Sequence, residues 1–455
     1  MKNSINNKKI ELLAPAGLPR QSKKKTKVEL LAPAGSIEKM KYAFAYGADA
    51  VYFGVPDFSL RVRINKFSEK DILEAVSYAH KLGKKIYVTL NIYAHNQHLE
   101  KVEKHLKFLR NIKIDGIIAS DPGIINLVKK YLPKVDIHLS TQANATNFEA
   151  VKFWKSLGVK RIILAREVTL KEIEEIGKKV KGIELEYFVH GAMCMSYSGR
   201  CILSKWINDK SANLGDCTQP CRWKYHEACS MKHETKEISL IDNQKRFEMD
   251  IEEDQHGTYF FNSYDMNLIS HMEELVKAGI SSMKIEGRAK SVYYVAVVTR
   301  AYRKVLDAIL NKKNSSKEIR KIISEQKKEL DNLVHRGYST GFLLGNEPAH
   351  NFEGKIQKGN WEFVGEVMGV NAGTGLKPVR TNIMKIHNAV LRQDKIEAIT
   401  PEKNITLKIK KIFNDQKKEI SEAHGGHEKL YYFEFDKVLP EGSLIRKKII
   451  LQNTN

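Results

Sequence analysis

The chain has 455 residues, 42% of them hydrophobic, with 76 Lys and Arg against 54 Asp and Glu for a formal net charge of +22. Length and apolar content predict two or three domains with a sizeable core; the start MKNSINNKK lacks the apolar run of a secretory signal, and no stretch of about 18 apolar residues suggests a membrane span, so the cytoplasm is the expected compartment. The positive balance suits a phosphate backbone or a small acidic partner, although a composition rich in Lys, Ile and Asn, as AT-rich genomes encode, accounts for part of it.

In chain order, Ile10–Gly17 (IELLAPAG) nearly duplicates Val28–Gly35 (VELLAPAG). Only the second copy runs into a helical pattern, and a barrel has one slot for a first strand. Residues 1–27 are therefore predicted to be a dispensable, mobile extension. From Val28 onward, short apolar runs alternate with amphipathic stretches. The predicted strands are Val28–Ala32, Ala50–Gly54, Ile86–Asn91, Gly116–Ser120, Asp136–Ser140, Arg161–Ala165, Glu184–Val189 and Ser282–Glu286. The predicted helices are Ile37–Tyr46, Glu69–Leu82, Leu99–Ile112, Ile124–Tyr131, Phe148–Leu157, Leu170–Val180, Met266–Lys277 and Val292–Leu310. Ser36 is placed to cap the first helix, and Gly47, Gly83, Gly158 and Gly279 to stop others. Eight such units predict an α/β fold, a (β/α)8 TIM-like barrel over 28–312, with a doubly wound open sheet as the alternative. A helical connector is expected over 313–355, with a helix at Lys317–Val334. Residues 356–455 then read as a small all-β domain, with strands in WEFVGEVMGV, ITLKIKKIF and KLYYFEFDKV.

The seventh strand is followed by an insertion, 190–263, that carries all five cysteines. Gly257–Ser263 reads as a strand within it. Four cysteines are spaced Cys194-x6-Cys201-x15-Cys217-x3-Cys221, and Cys229 is the spare. Packing thiols do not crowd like this, and in a chain without a secretory signal a disulfide staple is disfavoured. Four thiolates suit a tetrahedral zinc or an iron–sulfur centre, and the spacing leaves both open. Arg200, Lys205 and Arg222 lie nearby and would offset thiolate charge; Pro220 places the last pair on a loop at a helix start.

A barrel puts the loop after each strand at its C-terminal mouth, where active sites sit. The polar residues expected there are Asn91, Ser120, Asp121, Ser140, Gln142, Asn144, Arg166, Glu167, His190, Glu286 and Arg288. Glu186, His190 and Glu286 are the catalytic candidates. Arg61, Arg63, Asn91, Gln142, Asn144, Arg166 and Arg288 are the substrate-binding candidates, and the arginines point to an anionic substrate. A peptidase is the competing class. Gly337–Gly341 (GYSTG) matches G-x-S-x-G, but a long helix pattern precedes it where a nucleophile elbow needs a strand. His190 near Cys194 would allow a Cys–His pair.

Glu186–Ser204 reads EYFVHGAMCMSYSGRCILS. It resembles the signature of the collagenase-like family catalogued as peptidases of unknown catalytic type. LLAPAGS at Leu30–Ser36, DAVYFGV at Asp49–Val55, SLRVR at Ser59–Arg63, the STQANATN run at Ser140–Asn147, CTQPCRW at Cys217–Trp223 and KIEGR at Lys284–Arg288 agree with it. The resemblance runs from Val28 to the C-terminus, and length and the β domain fit best the branch acting as prephenate-dependent hydroxylases of wobble uridine in tRNA. It implies a [4Fe–4S] cluster on Cys194, Cys201, Cys217 and Cys221, a tRNA substrate hydroxylated at carbon 5 of uridine, and prephenate as a dicarboxylate co-substrate for the Arg-rich mouth. Zinc is the alternative metal. The alternative functions are a collagenase-like peptidase, an rRNA cytidine hydroxylase, and a non-catalytic iron–sulfur RNA-binding protein. The duplicated start departs from the family pattern.

Overall fold

The computed structural model describes residues 28–55, 67–194, 196–223, 225–232, 235–242, 248–250, 263–345, 356–357, 359–371, 381–426 and 429–449. The predicted mobile extension 1–27, the arginines Arg61 and Arg63, and almost all of the predicted strand Gly257–Ser263 lie outside them. They form two compact units, one ending at Gly359 and one beginning at Asn360.

The first unit is a closed parallel barrel. Its strands are β1 (Glu29–Pro33), β2 (Ala50–Gly54), β3 (Lys85–Leu90), β4 (Gly116–Ala119), β5 (Asp136–Leu139), β6 (Arg161–Ile163) and β7 (Glu184–Ala192). The insertion carries β8 (Tyr225–Lys232), β9 (Thr235–Asp242), β10 (Glu248–Asp250) and β11 (Asp265–Asn267); β12 (Ser282–Ile285) then pairs in parallel with both β7 and β1 and closes the ring. The doubly wound alternative is thereby excluded. Most strand residues are buried, with Leu30, Leu31, Val51, Phe53, Val88, Ile117 and Met283 removed from solvent. Fully burying one such side chain stabilises by about 1.5–3 kcal/mol.

The intervening helices are α1 (Ile37–Ala45), α2 (Glu69–Lys81), α3 (Asn96–Leu109), α4 (Pro122–Tyr131), α5 (Phe148–Ser156) and α6 (Leu170–Lys179), followed by α7 (Leu203–Asn208) in the insertion, α8 (Met272–Lys277) and α9 (Val292–Leu310). Their starts are specified locally. Ser36 accepts a hydrogen bond from the Lys39 amide, Asp121 caps α4 ahead of Pro122, and Ser68 with Asp71 and Thr169 with Glu172 form reciprocal capping boxes. Helix α9 is buried nearly all round because it packs against α1, β1 and α10 (Ser316–Leu330) at once.

The connector is not helical throughout. After α10, Tyr338–Ser339 form a short strand parallel to β11, which itself runs antiparallel to the end of β7. In the second unit, eight strands make an antiparallel sheet in the order 404–407, 396–399, 444–448, 361–371, 381–386, 430–435, 409–413, 419–420. The predicted single strand in ITLKIKKIF is in fact two, Asn404–Leu407 and Ile409–Phe413, with Lys408 between them. They stand near opposite ends of the strand order although one residue separates them, so the sheet must curl on itself. Val364, Val367, Met384, Ile412 and Phe433 fill its interior.

Candidate functional site

The C-terminal ends of the barrel strands and the cysteine insertion enclose a cavity of about 230 Å³. Tyr52, Thr89, Ile118, Ile163, Phe188 and Lys284 line it from the strands; Asn91, Ser140, Thr141, Gln142, Arg166, Glu286 and Arg288 line it from the residues just beyond strand ends. Cys194, Cys201, Cys217 and Cys221 line it from the insertion, with Ser196, Ser198 and Gln219. None of these four cysteines is in a disulfide. Cys229 falls in β8, and its side chain is outside what is described.

Local chemistry brings the two halves of the insertion together. The Thr218 amide donates to Ser204 Oγ at 3.0 Å, Asn208 Nδ2 donates to Thr218 Oγ1 at 2.7 Å, and Trp223 Nε1 donates to the Thr218 carbonyl at 3.2 Å. These bonds tie α7, which follows Cys201, to the Cys217–Cys221 loop. Gln219 takes a left-handed conformation at φ 60° and starts a 3-10 turn at Pro220, as the proline predicts. Its amide donates to Cys217 Sγ at 3.3 Å, a contact that favours a thiolate. Glu167 anchors the first half to the barrel by accepting from the Ser198 amide and hydroxyl, both at 2.6 Å.

The donor set fits a thiolate-ligated centre in kind, because all four cysteines, together with cationic residues, line one cavity. Their side chains are not drawn together, however. Among the described residues, no three His, Cys, Asp or Glu side chains are arranged to hold a metal ion.

The cations are individually placed. Arg166 lies over the Phe188 ring, 4.1 Å from its centroid, and donates through Nη1 to the Ala192 carbonyl at 3.2 Å. Its buried Nε has no partner, and neither has the buried Oε1 of Gln142. Arg288 donates to Thr89 Oγ1 at 3.2 Å. Lys284 sits at the base of the cavity, 4.3 Å from the centre of the Tyr52 ring, and donates to Glu186 Oε1 at 2.8 Å. Glu286 accepts from the Tyr52 hydroxyl at 3.3 Å and lies 3.9 Å from Arg166. Gly191 makes the seam between β7 and β12 possible. At φ 111° a β-carbon there would sit 2.6 Å from the Glu286 carbonyl oxygen.

Of the sequence candidates, the structure brings together Asn91, Gln142, Arg166, Glu286, Arg288 and the four cysteines. Asn144 caps the short 3-10 turn after β5 at φ 56° and is not part of the cavity lining. Glu186 is fully buried one layer deeper. Burial alone would raise its pKa, but Lys284 and Arg161 outweigh it and hold the carboxyl below the usual range. His190 is also buried, among the rings of Tyr294, Tyr302 and Tyr338, and hydrogen-bonds the Tyr302 hydroxyl at 3.3 Å. Burial pushes its pKa down to about 3. Ser339 is preceded by a strand residue but followed by a turn, and its hydroxyl accepts from the Gly341 amide. The elbow geometry is absent.

Sequence reading missed Tyr52, Thr89 and Lys284 as cavity residues. The available signal was a charged residue inside an otherwise apolar strand, since buried parallel strands read as nearly continuous apolar runs.

Residues 35–353 match the model of peptidase family U32, and residues 359–446 match that of the peptidase family U32 C-terminal domain. The chain is 42% identical to the tRNA hydroxylation protein P of Haemophilus influenzae, over 92% of each chain. It is 39% identical to the protein of the same name from Escherichia coli, over 89% of each. A collagenase of Porphyromonas gingivalis is 30% identical over 68% of this chain and 72% of the relative. With the family model spanning the barrel after β1 and its cysteine insertion, and a second covering most of the β domain, this chain belongs to peptidase family U32.

Proposed function

We propose that the chain hydroxylates carbon 5 of the wobble uridine of tRNA in the cytoplasm, with prephenate as co-substrate and a [4Fe–4S] cluster on Cys194, Cys201, Cys217 and Cys221. One observation carries the reading: four unbridged thiols share a cavity with Arg166, Lys284 and Arg288. Such a cluster supplies one-electron chemistry or substrate activation at the mouth. The chain's own residues supply the rest. Arg166 and Arg288 offer guanidinium groups to carboxylates, and Lys284 adds a third cation beneath them. Asn91 and Gln142 offer amides to a polar ligand edge. An anticodon loop can present an unstacked uridine to a recessed site at little cost. The net charge of +22 and the near full-length likeness to proteins named for tRNA hydroxylation support the same substrate.

Nucleoside analysis of tRNA from a strain lacking this gene tests the proposal. Derivatives of 5-hydroxyuridine are expected to vanish and to return with the parent gene; their persistence overturns it. Iron, sulfide and zinc measured on anaerobically purified protein decide between a cluster and a zinc site.

A peptidase is the second reading, favoured by the collagenase relative. A histidine held neutral down to about pH 3 is a weak general base, and His190 is turned toward tyrosines. Proteolysis by metal-free protein, with unchanged tRNA nucleosides, would establish that reading instead.

A further inference from the structure

We propose that Tyr197 and Trp206 form a stacking platform that grips unpaired bases of the RNA strand at the rim of the cavity. The inference rests on the RNA-modifying function proposed above and names how that substrate is held. Among the described residues, the three most exposed large apolar side chains are Ile202 at 75%, Trp206 at 70% and Tyr197 at 61%. All three fall within ten residues of one another in sequence; Phe153 and Leu157 at the end of α5 make a smaller and less exposed pair, and the others, such as Leu73 and Val438, are scattered. Single exposed apolar residues need no explanation, but a cluster marks a binding surface.

Two of the three, Tyr197 and Ile202, directly adjoin cavity-lining residues along the chain, and Trp206 follows on α7. Ser196, Ser198 and Cys201 line the cavity, while their neighbours Tyr197 and Ile202 face solvent. The same short segment therefore presents thiol and hydroxyl groups inward and rings outward. Its position is fixed by Glu167 on Ser198 and by the bonds around Thr218. Arg200 lies between the two rings in sequence, and its Nε donates to the Tyr93 hydroxyl at 3.1 Å and to the Gln142 carbonyl at 3.2 Å. Neither contact neutralises its charge. Lys205 and Lys210 also flank the platform, but each is paired with a carboxylate, Asp209 and Asp216, and contributes less.

Exposed rings interleaved with a cation suit single-stranded nucleic acid, since every base has a face to stack and every nucleotide a phosphate. A protein partner would favour a patch depleted of charge at its centre. The cavity beneath also has a use for a stacked strand: with neighbouring bases held on the rings, one base is free to enter.

The test uses the full chain purified anaerobically, and an anticodon stem-loop RNA in two forms, with the loop bases intact and with abasic loop nucleotides. Tyr197→Ala and Trp206→Ala are each expected to weaken binding of the intact loop roughly 5- to 100-fold, and the pair more, while leaving the abasic loop unaffected. Trp206→Phe keeps a ring and is expected to retain most of the affinity. Circular dichroism melting establishes that the variants are folded, and Tyr197→Ala carries the comparison if Trp206→Ala is not. Parent-like affinity of both alanine variants for the intact loop overturns the platform while leaving tRNA hydroxylation standing. A parent that binds neither RNA, with tRNA nucleosides unchanged in the deletion strain, removes both.

Discussion

The two ends of the barrel hold charge in opposite ways. At the N-terminal end, Arg161 meets Glu29 at 2.6 Å, Glu184 at 2.7 Å and Glu186 at 3.0 Å; Tyr87 and Ser282 donate to Glu29, and Lys284 donates to Glu186. Each buried charge there has an opposite partner and a hydrogen bond. At the mouth, Arg166 stands 3.9 Å from Glu286 with its Nε unsatisfied, Gln142 keeps an unpartnered amide oxygen, and four cysteines line the same space. Buried polar groups without partners cost stability; others occur elsewhere in the molecule, such as His138 Nδ1 and Thr299 Oγ1, but those at the mouth share a cavity that a ligand could enter. The closed network supports the barrel; the incomplete one lies where the proposed substrate would bind. Lys284 belongs to both, bound by Glu186 and lining the cavity.

The sharpest way to separate the ends is to alter one cysteine and one floor carboxylate in parallel. Cys194→Ser is expected to reduce hydroxylation to background and to strip iron from anaerobically purified protein, with little change in folding of the barrel. Iron content and nucleoside analysis check it, and retained activity removes the cluster from the mechanism. Glu186→Gln is expected to do the reverse in kind. It leaves Arg161 and Lys284 with one fewer buried carboxylate, which costs about 3–5 kcal/mol by the usual penalty for breaking a buried pair. Urea unfolding measures that loss directly, and an unchanged midpoint would show that the floor network is dispensable.

The same division explains what was legible in the sequence. Strands are visible because each is a short apolar run, and several, such as β2, β3 and β6, lie between a helix-stopping glycine and the start of the next helix, signals that depend only on local chemistry. Helix α9 spans Val292–Leu310 as its periodicity predicts, and Ser291 caps it in the structure. The cysteine cavity was visible because the spacing places all four thiols in the loop after β7. The floor network was not. Glu29, Arg161, Glu186 and Lys284 are far apart in sequence, and whether a charged strand residue points into a barrel depends on the shared register of all eight strands. The role of Lys284 within KIEGR is hidden in the sequence for the same reason. His190 was placed at the mouth because it falls near the end of a strand; the β11 pairing carries β7 onward to Ala192 and turns that residue into a buried cluster.

A change of smaller size belongs to the mouth. Arg166→Met keeps the contact with Phe188 and the volume but removes the guanidinium. Stability should stay within about 1 kcal/mol of the parent, because the arginine's partner set is incomplete already. The KM for the anionic co-substrate should rise roughly 10- to 100-fold, the loss of one charge-assisted pair. Steady-state kinetics with prephenate varied checks this, and an unchanged KM would move the anion site elsewhere in the cavity.

The smallest effect concerns His190, which lies between the two ends and serves neither network. Its folded pKa of about 3 is below the ordinary value of 6.5 because burial disfavours the imidazolium. Between those values the unfolded chain binds a proton that the folded chain does not. Its contribution to stability is therefore complete above about pH 6.5 and declines as pH falls toward 3, at up to about 1.4 kcal/mol per pH unit. The buried carboxylate of Glu186 pulls in the same direction at lower pH, so the comparison needs a variant. His190→Phe removes the titration while retaining a ring among Tyr294, Tyr302 and Tyr338, although it gives up the hydrogen bond to Tyr302. It is expected to be less stable than the parent at pH 7.5, by about 1 kcal/mol for that bond. The parent should then lose about 1.4 kcal/mol more than the variant between pH 7.5 and pH 5.5. Urea midpoints at the two pH values measure both differences. A parent and variant that fall in parallel would mean that His190 takes up its proton alike in the folded and unfolded chain, and that burial does not hold it neutral.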